Sequence, residues 1–186
     1  MCGPNPALRD LVQDTILYLS EADVAALGID RDRLREAIVA AFAAKADGRS
    51  DVAVKSTILV APGHLFQAKP GILHDAGLAG MKWFGLVPTR SREGPSITST
   101  ILVSAVRSGA LLAIVGGDWI TAQRTAAMSA IAARKLARQA SVRIGFVGAG
   151  VQGASHLDAL PRVLPNLAHA VVCSRTEASA LRLADA

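Results

Sequence analysis

The sequence of 186 residues has only two cysteines, few aromatic residues and no long apolar run. Cys2 and Cys173 lie far apart and match neither a disulfide framework nor a metal-ligand spacing, so no metal site is predicted. The first residues carry prolines and acids without an apolar segment, which excludes a signal peptide. No apolar stretch reaches the roughly 18 residues that a membrane span needs. These absences predict a cytoplasmic protein that does not associate with a membrane.

Aromatic side chains make up 4% of the residues and hydrophobic ones 51%, so the predicted core consists mainly of Ala, Leu, Ile and Val. The formal net charge of +5 at pH 7 comes from Arg and Lys scattered along the chain. No basic run is interleaved with aromatics, so the composition gives no support for nucleic-acid binding. The excess charge suits an anionic cofactor, an anionic substrate or a solvated surface equally well.

The most informative stretch is 142–153, VRIGFVGAGVQG. A short apolar run is followed by Gly148, Gly150 and Gly153 with the spacing G-x-G-x-x-G, and the next residues predict a helix up to Pro161. Strand, glycine turn and helix is the order of a dinucleotide site, in which a pyrophosphate lies at the helix N-terminus. A second predicted strand, 170–173, follows at about the distance where the ribose is read. The alternative is a glycine-rich turn without a ligand.

The rest of the chain predicts a mixed sheet and an alanine-rich helix. A loose arm, 1–17, precedes a capping box at Ser20 and Asp23 and a helix from about Asp30 to Gly48. Strands are predicted over 52–61, 64–69, 78–87, 97–106 and 110–116, ended by Pro-Gly or Gly signals. Asp118 is the predicted N-cap of a long helix that runs to about Gln139. The predicted domains are 1–117, a connecting helix 118–141, and 142–186.

Two basic residues are candidates for chemistry. Lys82 lies in the middle of a strand, beside Trp83 and Phe84; it is either an exposed strand lysine or a cation held in a cleft for a carboxylate or carbonyl oxygen. Arg124 lies in the alanine-rich helix; it is either a solvated arginine or a bidentate partner for carboxylate or phosphate. The four histidines have no metal spacing and no arrangement typical of nucleophilic catalysis.

Several motifs together resemble the ornithine cyclodeaminase/mu-crystallin family. They are GMKWFG, then T-A-x-R-T-A-A, then G-A-G-x-Q-G, in the order and spacing of that family, with LSEADV near the start. The resemblance covers residues 18–186. It implies an α/β protein with an N-terminal sheet-and-helix substrate and dimerisation domain, followed by a Rossmann NAD(P)-binding domain. It also implies a homodimer that moves a hydride between NAD(P) and the Cα of a small amino acid or its imine.

The resemblance also implies residue roles. Lys82 matches the catalytic lysine beside the substrate, and Arg124 matches the arginine that binds the substrate carboxylate. Lys55 stands near a further carboxylate-binding arginine of many members, and Lys69 takes the place of a methionine. The cofactor-binding residues implied are Thr125, Gly148, Gly150, Val151, Gln152, Gly153, Ser174, Arg175 and Thr176.

The second predicted strand of the dinucleotide site ends in C-S-R-T. Sites that prefer NAD place an Asp or Glu here to bind the ribose 2′-hydroxyl. Ser174 and Arg175 instead offer a hydroxyl and a guanidinium, which suit a 2′-phosphate, so NADP(H) is favoured over NAD(H). The alternative is that Arg175 is an ordinary surface residue.

Three activities remain open: ornithine cyclisation, ketimine reduction and amino-acid dehydrogenation. A protein of the mu-crystallin type that binds NADP(H) or a small molecule without catalysis is the alternative. Because family members continue well beyond this length, the chain is expected to be a truncated form with an incomplete Rossmann domain. By itself it is expected to self-associate, to bind the cofactor weakly and to be inactive.

Overall fold

A computed structural model describes residues 15–88 and 96–185. The first part of the chain contains β1 (Leu17–Leu19), α1 (Glu21–Ala26), α2 (Arg31–Ala46), β2 (Ser50–Val52), β3 (Ser56–Ala61), β4 (His64–Leu73), β5 (Leu78–Leu86), β6 (Ile97–Ala105) and β7 (Leu111–Gly116). The remainder contains α3 (Asp118–Leu136), β8 (Arg143–Val147), α4 (Val151–Ala159), β9 (His169–Cys173) and α5 (Glu177–Ala184). In the described part of the chain, no helix is both long and apolar enough to cross a bilayer.

The chain forms two compact units, which are described separately. The first comprises the chain up to Gly28 together with Ala40–Ile120, and the second comprises Ile29–Val39 together with Thr121–Ala186. Arg31 belongs with the second unit because its Nε donates to the carboxylate of Asp158 in α4 at 2.9 Å. The domain limits predicted from the sequence, 1–117, 118–141 and 142–186, stay a prediction.

The first unit is built on a seven-stranded mixed sheet with the order β1-β7-β6-β5-β4-β2, and β3 also pairs with β4. All pairs are antiparallel except β1 with β7. The α/β class and the β6–β7 hairpin are therefore confirmed, but the sheet has two more strands than expected. One of these is β1, which begins at Leu17, the last residue of the predicted loose arm; residues 1–14 of that arm, with Cys2, are outside the described residues.

The predicted strand 52–61 is in fact two strands, and Pro70 shows why. Strand β4 runs through Pro70-Gly71, where the sequence predicted its end. The carbonyl of Pro70 accepts a hydrogen bond from the N–H of Ala53, in the interval between β2 and β3. A proline has no N–H to donate, so it is tolerated inside a strand where the neighbouring ladder is interrupted.

The start of α3 corrects a predicted cap. The carboxylate of Asp118 accepts hydrogen bonds from Ser99, at 2.5 Å from its backbone N–H and 3.0 Å from its hydroxyl. Glu21 of α1 instead accepts from the backbone N–H groups of Asp118, at 2.7 Å, and Trp119, at 3.0 Å. The capping box of Ser20 and Asp23 that begins α1 is confirmed. Helix α1 is thereby fixed at the end where its Glu21 caps α3.

The second unit packs α3 against α4 and the residues that follow it. Its buried cluster consists of Ala126, Ala130, Ala159, Val163 and Leu164. Alanines on α3 let the neighbouring elements approach closely, and a larger side chain there would overpack the interface. Helix α3 ends at Leu136 rather than Gln139; the Gln139 amide donates to the carbonyls of Arg134 and Ala137, at 3.2 and 3.1 Å. Strands β8 and β9 pair in parallel beside this layer.

Candidate functional site

The predicted strand, glycine turn and helix are confirmed as β8, 148–150 and α4. Gly148 has a φ of +107°, a conformation that only glycine adopts readily. Its N–H donates to the carbonyl of Cys173 at 2.7 Å, which joins the turn after β8 to the end of β9. The two strand ends therefore meet at one edge, where a parallel sheet places its ligand.

The other two glycines differ in why they are needed. A Cβ at Gly153 would lie 2.7 Å from the carbonyl oxygen of Gly148 and 3.1 Å from Cδ2 of Leu183, so packing within the protein requires glycine there. Gly150 has an extended backbone, with φ −90° and ψ −168°, that any residue adopts. A Cβ at Gly150 would meet no described atom within 4 Å. Neither backbone strain nor packing therefore requires a glycine at position 150. The absence of a side chain there leaves space for a ligand to approach the backbone.

The N-terminus of helix α4 has no side-chain cap among the described residues. Its N-cap, Gly150, makes no side-chain capping bond, and Val151 and Gln152 in its first turn are exposed. N–H groups at a helix N-terminus have no intrahelical acceptor and favour an anion. His156 connects the first turn of α4 to α3. Its Nδ1 lies 2.7 Å from the carbonyl of Gln152, and its Nε2 lies 2.8 Å from the hydroxyl of Ser129 in α3.

These two contacts define the tautomer of His156. Because a carbonyl only accepts, Nδ1 carries the proton, and in the neutral ring Nε2 accepts from the Ser129 hydroxyl. Sequence reasoning gave His156 no role, and no motif pairs it with Ser129. The structure makes it a link that orients the first turn of α4.

The residues after β9 divide into two groups. The hydroxyl of Thr176 already has a structural role, because Thr176 is the N-cap of α5 and its Oγ1 accepts a hydrogen bond from the N–H of Ser179 at 3.4 Å. Ser174 is half-buried and Arg175 is exposed. Among the described residues Arg175 forms no ion pair, so its guanidinium can bind an anion beside the glycine turn.

Lys82 lies at the centre of the sheet in the first unit. It pairs with Lys69 of β4 on one side and Ile101 of β6 on the other. Its side chain is half-buried, and Nζ lies 4.9 Å from the centroid of the Phe84 ring. The aromatic face attracts the ammonium group and holds it along this face of the sheet. Lys55 is exposed in the interval between β2 and β3.

Arg124 and Thr125 lie on α3 in the second unit. Arg124 is half-buried as a residue, and its Nη1 lies 3.6 Å from the sulfur of Met128, a weak acceptor that leaves most of its donors for a ligand. The Thr125 hydroxyl donates to the carbonyl of Thr121 at 2.6 Å, so its proton is already used within the helix. The structure thus places the predicted cofactor residues other than Thr125 directly after β8 and β9, and it pairs Lys82 with Lys69 in the sheet of the other unit.

Comparison with known proteins places these features in one family. The model of the ornithine cyclodeaminase/mu-crystallin family matches residues 17–186. An alanine dehydrogenase of Archaeoglobus fulgidus is 33% identical over 148 residues, which is 79% of this chain and 45% of that protein. An L-lysine cyclodeaminase of Streptomyces rapamycinicus is 33% identical over 142 residues, 72% of this chain and 40% of that protein.

A solved structure shares the fold. The Δ1-pyrroline-2-carboxylate reductase of Thermococcus litoralis, in complex with NADH and L-proline, superimposes with a TM-score of 0.86 and 31% identity over 91% of this chain and 53% of that one. The chain spans about half the length of the relatives that it matches. The match of the family model over nearly all of the chain shows that this protein belongs to the ornithine cyclodeaminase/mu-crystallin family.

Proposed function

We propose that this chain is part of an NAD(P)-dependent enzyme that acts on amino-acid amines or their imines. The observation that carries the proposal is Gly150, a glycine that the fold itself does not need and that lies open at the start of α4. The pyrroline-2-carboxylate reductase with 31% identity holds NADH and L-proline, which supports a nicotinamide cofactor and a substrate built around Cα. The bound nicotinamide would accept or supply the hydride.

The chain's own residues would hold the cofactor by its phosphates. The backbone of Gly148 and Gly150 and the N-terminal N–H groups of α4 would bind the pyrophosphate. Ser174 and Arg175 would bind a 2′-phosphate, which makes NADP(H) the preferred form. Val151, Gln152 and Thr125 would border the phosphates, and Thr176 would shape the site through its cap on α5.

Three basic residues would serve the substrate. Arg124 would bind the carboxylate, because a guanidinium presents two parallel donors in the geometry of a carboxylate. Lys82 would lie beside the reacting carbon and favour its polar transition state. Lys55 would add positive charge near the carboxylate without the bidentate geometry of an arginine. The working protein would be a homodimer.

The proposed class contains three reactions: amino-acid dehydrogenation, imine reduction and cyclodeamination. Dehydrogenation of an amino acid and reduction of an imine are the same hydride transfer in opposite directions. Cyclodeamination would combine both: the imine formed by hydride removal is attacked by the side-chain amine, ammonia leaves, and the hydride is returned to the cyclic imine. Arg124 and Lys82 would serve all three reactions. These two residues therefore support the class of reaction but do not distinguish among its three members. A protein that binds the cofactor without turnover is the alternative that the experiment distinguishes.

Two measurements on the purified chain test the proposal. The first is titration with NADPH and NADH, since the chain contains the glycine turn. The second follows the absorbance of reduced nicotinamide with amino acids and cyclic imines as substrates. Where turnover is measured, Arg124→Ala is expected to raise the KM by about 30-fold or more, because a charge-assisted bidentate contact is lost. The matched control is Arg134→Ala, an exposed arginine on the same helix.

Each outcome bears on a different part of the proposal. Cofactor binding with turnover that depends on Arg124 supports the enzyme and contradicts the expected inactivity of the chain by itself, whereas binding without turnover agrees both with that inactivity and with the non-catalytic alternative. Failure to bind either nicotinamide form contradicts the proposal. An unchanged KM in Arg124→Ala removes this arginine from the substrate site.

A further inference from the structure

His156 differs from its neighbour Ser155 in where its contacts lead. The Ser155 hydroxyl donates to the carbonyl of Val151 at 2.9 Å, so its bond stays within α4. Nδ1 of His156 lies 2.7 Å from the carbonyl of Gln152, also in the first turn of α4. Bonds of this kind share an acceptor that the helix already uses, and they add little stability. The imidazole also reaches a second helix, because its Nε2 lies 2.8 Å from the hydroxyl of Ser129 in α3.

The buried packing of α3 against α4 lies at the far end of α4. Among the described residues, the buried cluster takes from α4 only Ala159, the last residue of the helix. Ser129 is a well-fixed anchor, because it lies next to Ala130 and one turn after Ala126, which are 3% and 0% exposed. The contact of His156 with Ser129 therefore extends this interface toward the glycine turn.

The Gln152 carbonyl shares a peptide unit with one of the N–H groups proposed to bind the pyrophosphate. A trans peptide unit is planar, so its C=O and N–H point in opposite directions. The N–H of this unit belongs to Gly153, in the first turn of α4, where N–H groups have no intrahelical acceptor. A contact that fixes the carbonyl from one side therefore fixes the direction of the Gly153 N–H on the other.

We propose that His156 and Ser129 are positioning residues for the cofactor pyrophosphate. The imidazole holds the peptide unit of Gln152 and Gly153 in a fixed direction relative to α3, so the N–H is aligned before the anion binds. This alignment raises the affinity because less conformational freedom is lost on binding. Neither side chain touches the cofactor in this role. The inference rests on the proposed function, which has a pyrophosphate at the start of α4.

The first test divides the two contacts of the imidazole. His156→Asn keeps an N–H donor near the position of Nδ1 but is too short to reach Ser129. His156→Gln carries its amide to the position of Nε2 and loses the Gln152 carbonyl. Because both contacts are needed, each variant should weaken NADPH binding about three- to tenfold, the net effect of one hydrogen bond. His169→Asn, at the exposed start of β9, is the matched control and should change the affinity by less than about twofold.

Variants of Ser129 supply the second test. Ser129→Ala removes the anchor and should weaken NADPH binding to the same extent as His156→Asn. The double variant should bind no more weakly than either single variant, because both changes break the same contact. Ser129→Thr keeps the hydroxyl and should bind NADPH within about twofold of the wild type.

Two further measurements separate positioning from a general loss of structure. Adenosine 2′-phosphate has no pyrophosphate, so its affinity should stay within about twofold in every variant, whereas NADPH and NADH should weaken alike. Amide hydrogen exchange is measured without any ligand. Exchange should be faster in the variants at Ala154, whose N–H donates to the carbonyl of the N-cap Gly150 at 3.1 Å, and unchanged at Ala180 in α5.

The results keep this inference apart from the proposed function. The inference is overturned if the His156 variants bind NADPH as tightly as His169→Asn, if the losses add in the double variant, or if adenosine 2′-phosphate weakens equally. In each of these cases NADPH binding by the wild type would keep the proposed function. Unchanged exchange at Ala154 in His156→Asn also overturns the inference, with no cofactor present. A wild type that binds neither NADPH nor NADH contradicts the proposed function, and the inference fails with it.

Discussion

The carboxylate of Glu21 accepts a hydrogen bond from the backbone N–H of Asp118 at 2.7 Å, although the two residues lie 97 positions apart. A second bond, from Trp119 to the same carboxylate, completes the cap of α3. The chain packs so tightly around this contact that a Cβ at Gly116 would lie 2.7 Å from the backbone nitrogen of Glu21. The helix that carries Arg124 therefore starts from a point fixed by an acid of α1.

The first prediction concerns this cap. Glu21→Ala should lower the free energy of unfolding by about 1–2 kcal/mol, because two helix N–H groups lose their acceptor and the dipole loses a negative charge. Chemical denaturation monitored by circular dichroism measures the change. Glu36→Ala, at an exposed position of α2, is the control and should change stability by less than about 0.5 kcal/mol. Equal losses in the two variants would contradict the assigned cap.

The second prediction separates the two glycines of the turn. Gly150→Ala should leave the unfolding midpoint nearly unchanged and weaken NADPH binding at least about tenfold, because its methyl group enters space proposed for the pyrophosphate. Gly153→Ala should instead destabilise the fold by about 1–3 kcal/mol, because the new Cβ overlaps the Gly148 carbonyl. Thermal unfolding and cofactor titration of both variants provide the comparison. Normal NADPH affinity in Gly150→Ala would place the pyrophosphate elsewhere.

The third prediction tests the form of the cofactor. Arg175→Ala should weaken NADPH binding about tenfold and change NADH binding by less than about twofold, because only NADPH carries the 2′-phosphate. Isothermal titration of both cofactors gives the ratio. Arg138→Ala, an exposed arginine beyond the end of α3, controls for the loss of a positive charge. A parallel loss of both affinities would assign Arg175 to a different part of the cofactor.

The fourth prediction concerns acid stability. Hydrogen bonding to Arg31, and secondarily to Arg162, lowers the pKa of the Asp158 carboxyl below its usual value, against a smaller opposing effect of burial. A lowered pKa means that the pairing stabilises the fold above the unfolded pKa of about 4 and is lost as the pH falls through the folded value. The contribution is at most about 1 kcal/mol, because the side chain of Asp158 is 40% exposed.

The measurement compares the wild type with Asp158→Asn from about pH 7 to pH 2, a range that spans the carboxyl titration. The difference in unfolding free energy should be present near neutral pH and disappear at the acid end. The control is Glu36→Gln, which removes an exposed carboxylate of α2. A difference that grows as the pH falls would mean that the sign of the pKa shift is wrong.

Local signals explain what could be predicted from the sequence. The capping box at Ser20, the glycine turn at Gly148 and the β6–β7 hairpin depend on residues close together in the chain, and their chemistry predicted them correctly. Asp118 was predicted as a cap because Asp favours that position, but a distant residue, Glu21, took the role. Propensity carries no information about a partner so far away in the chain, which is also why the sequence analysis missed the His156–Ser129 link.

The pairing of Lys69 with Lys82 shows a second limit. The sequence analysis identified Lys82 and Lys55 as candidate site residues and found that Lys69 departs from the family pattern. It did not predict that Lys69 lies opposite Lys82. Predicting that pair requires the register of β4 and β5, and the expected end of β4 before Pro70 left out residues 70–73, from which that register is counted. The roles of Lys82, Arg124 and the cofactor residues remain predictions that the experiments above test.

Pro70 has a consequence for how this sheet avoids misfolding. If β4 slid by two residues against β3, the proline would enter the paired part of the ladder, where its missing N–H would leave a carbonyl of β3 without a donor. The observed alignment places it opposite the interval between β2 and β3, where Ala53 supplies the donor. The proline thus penalises shifted pairings of β4 with β3 and fixes the register between these two strands.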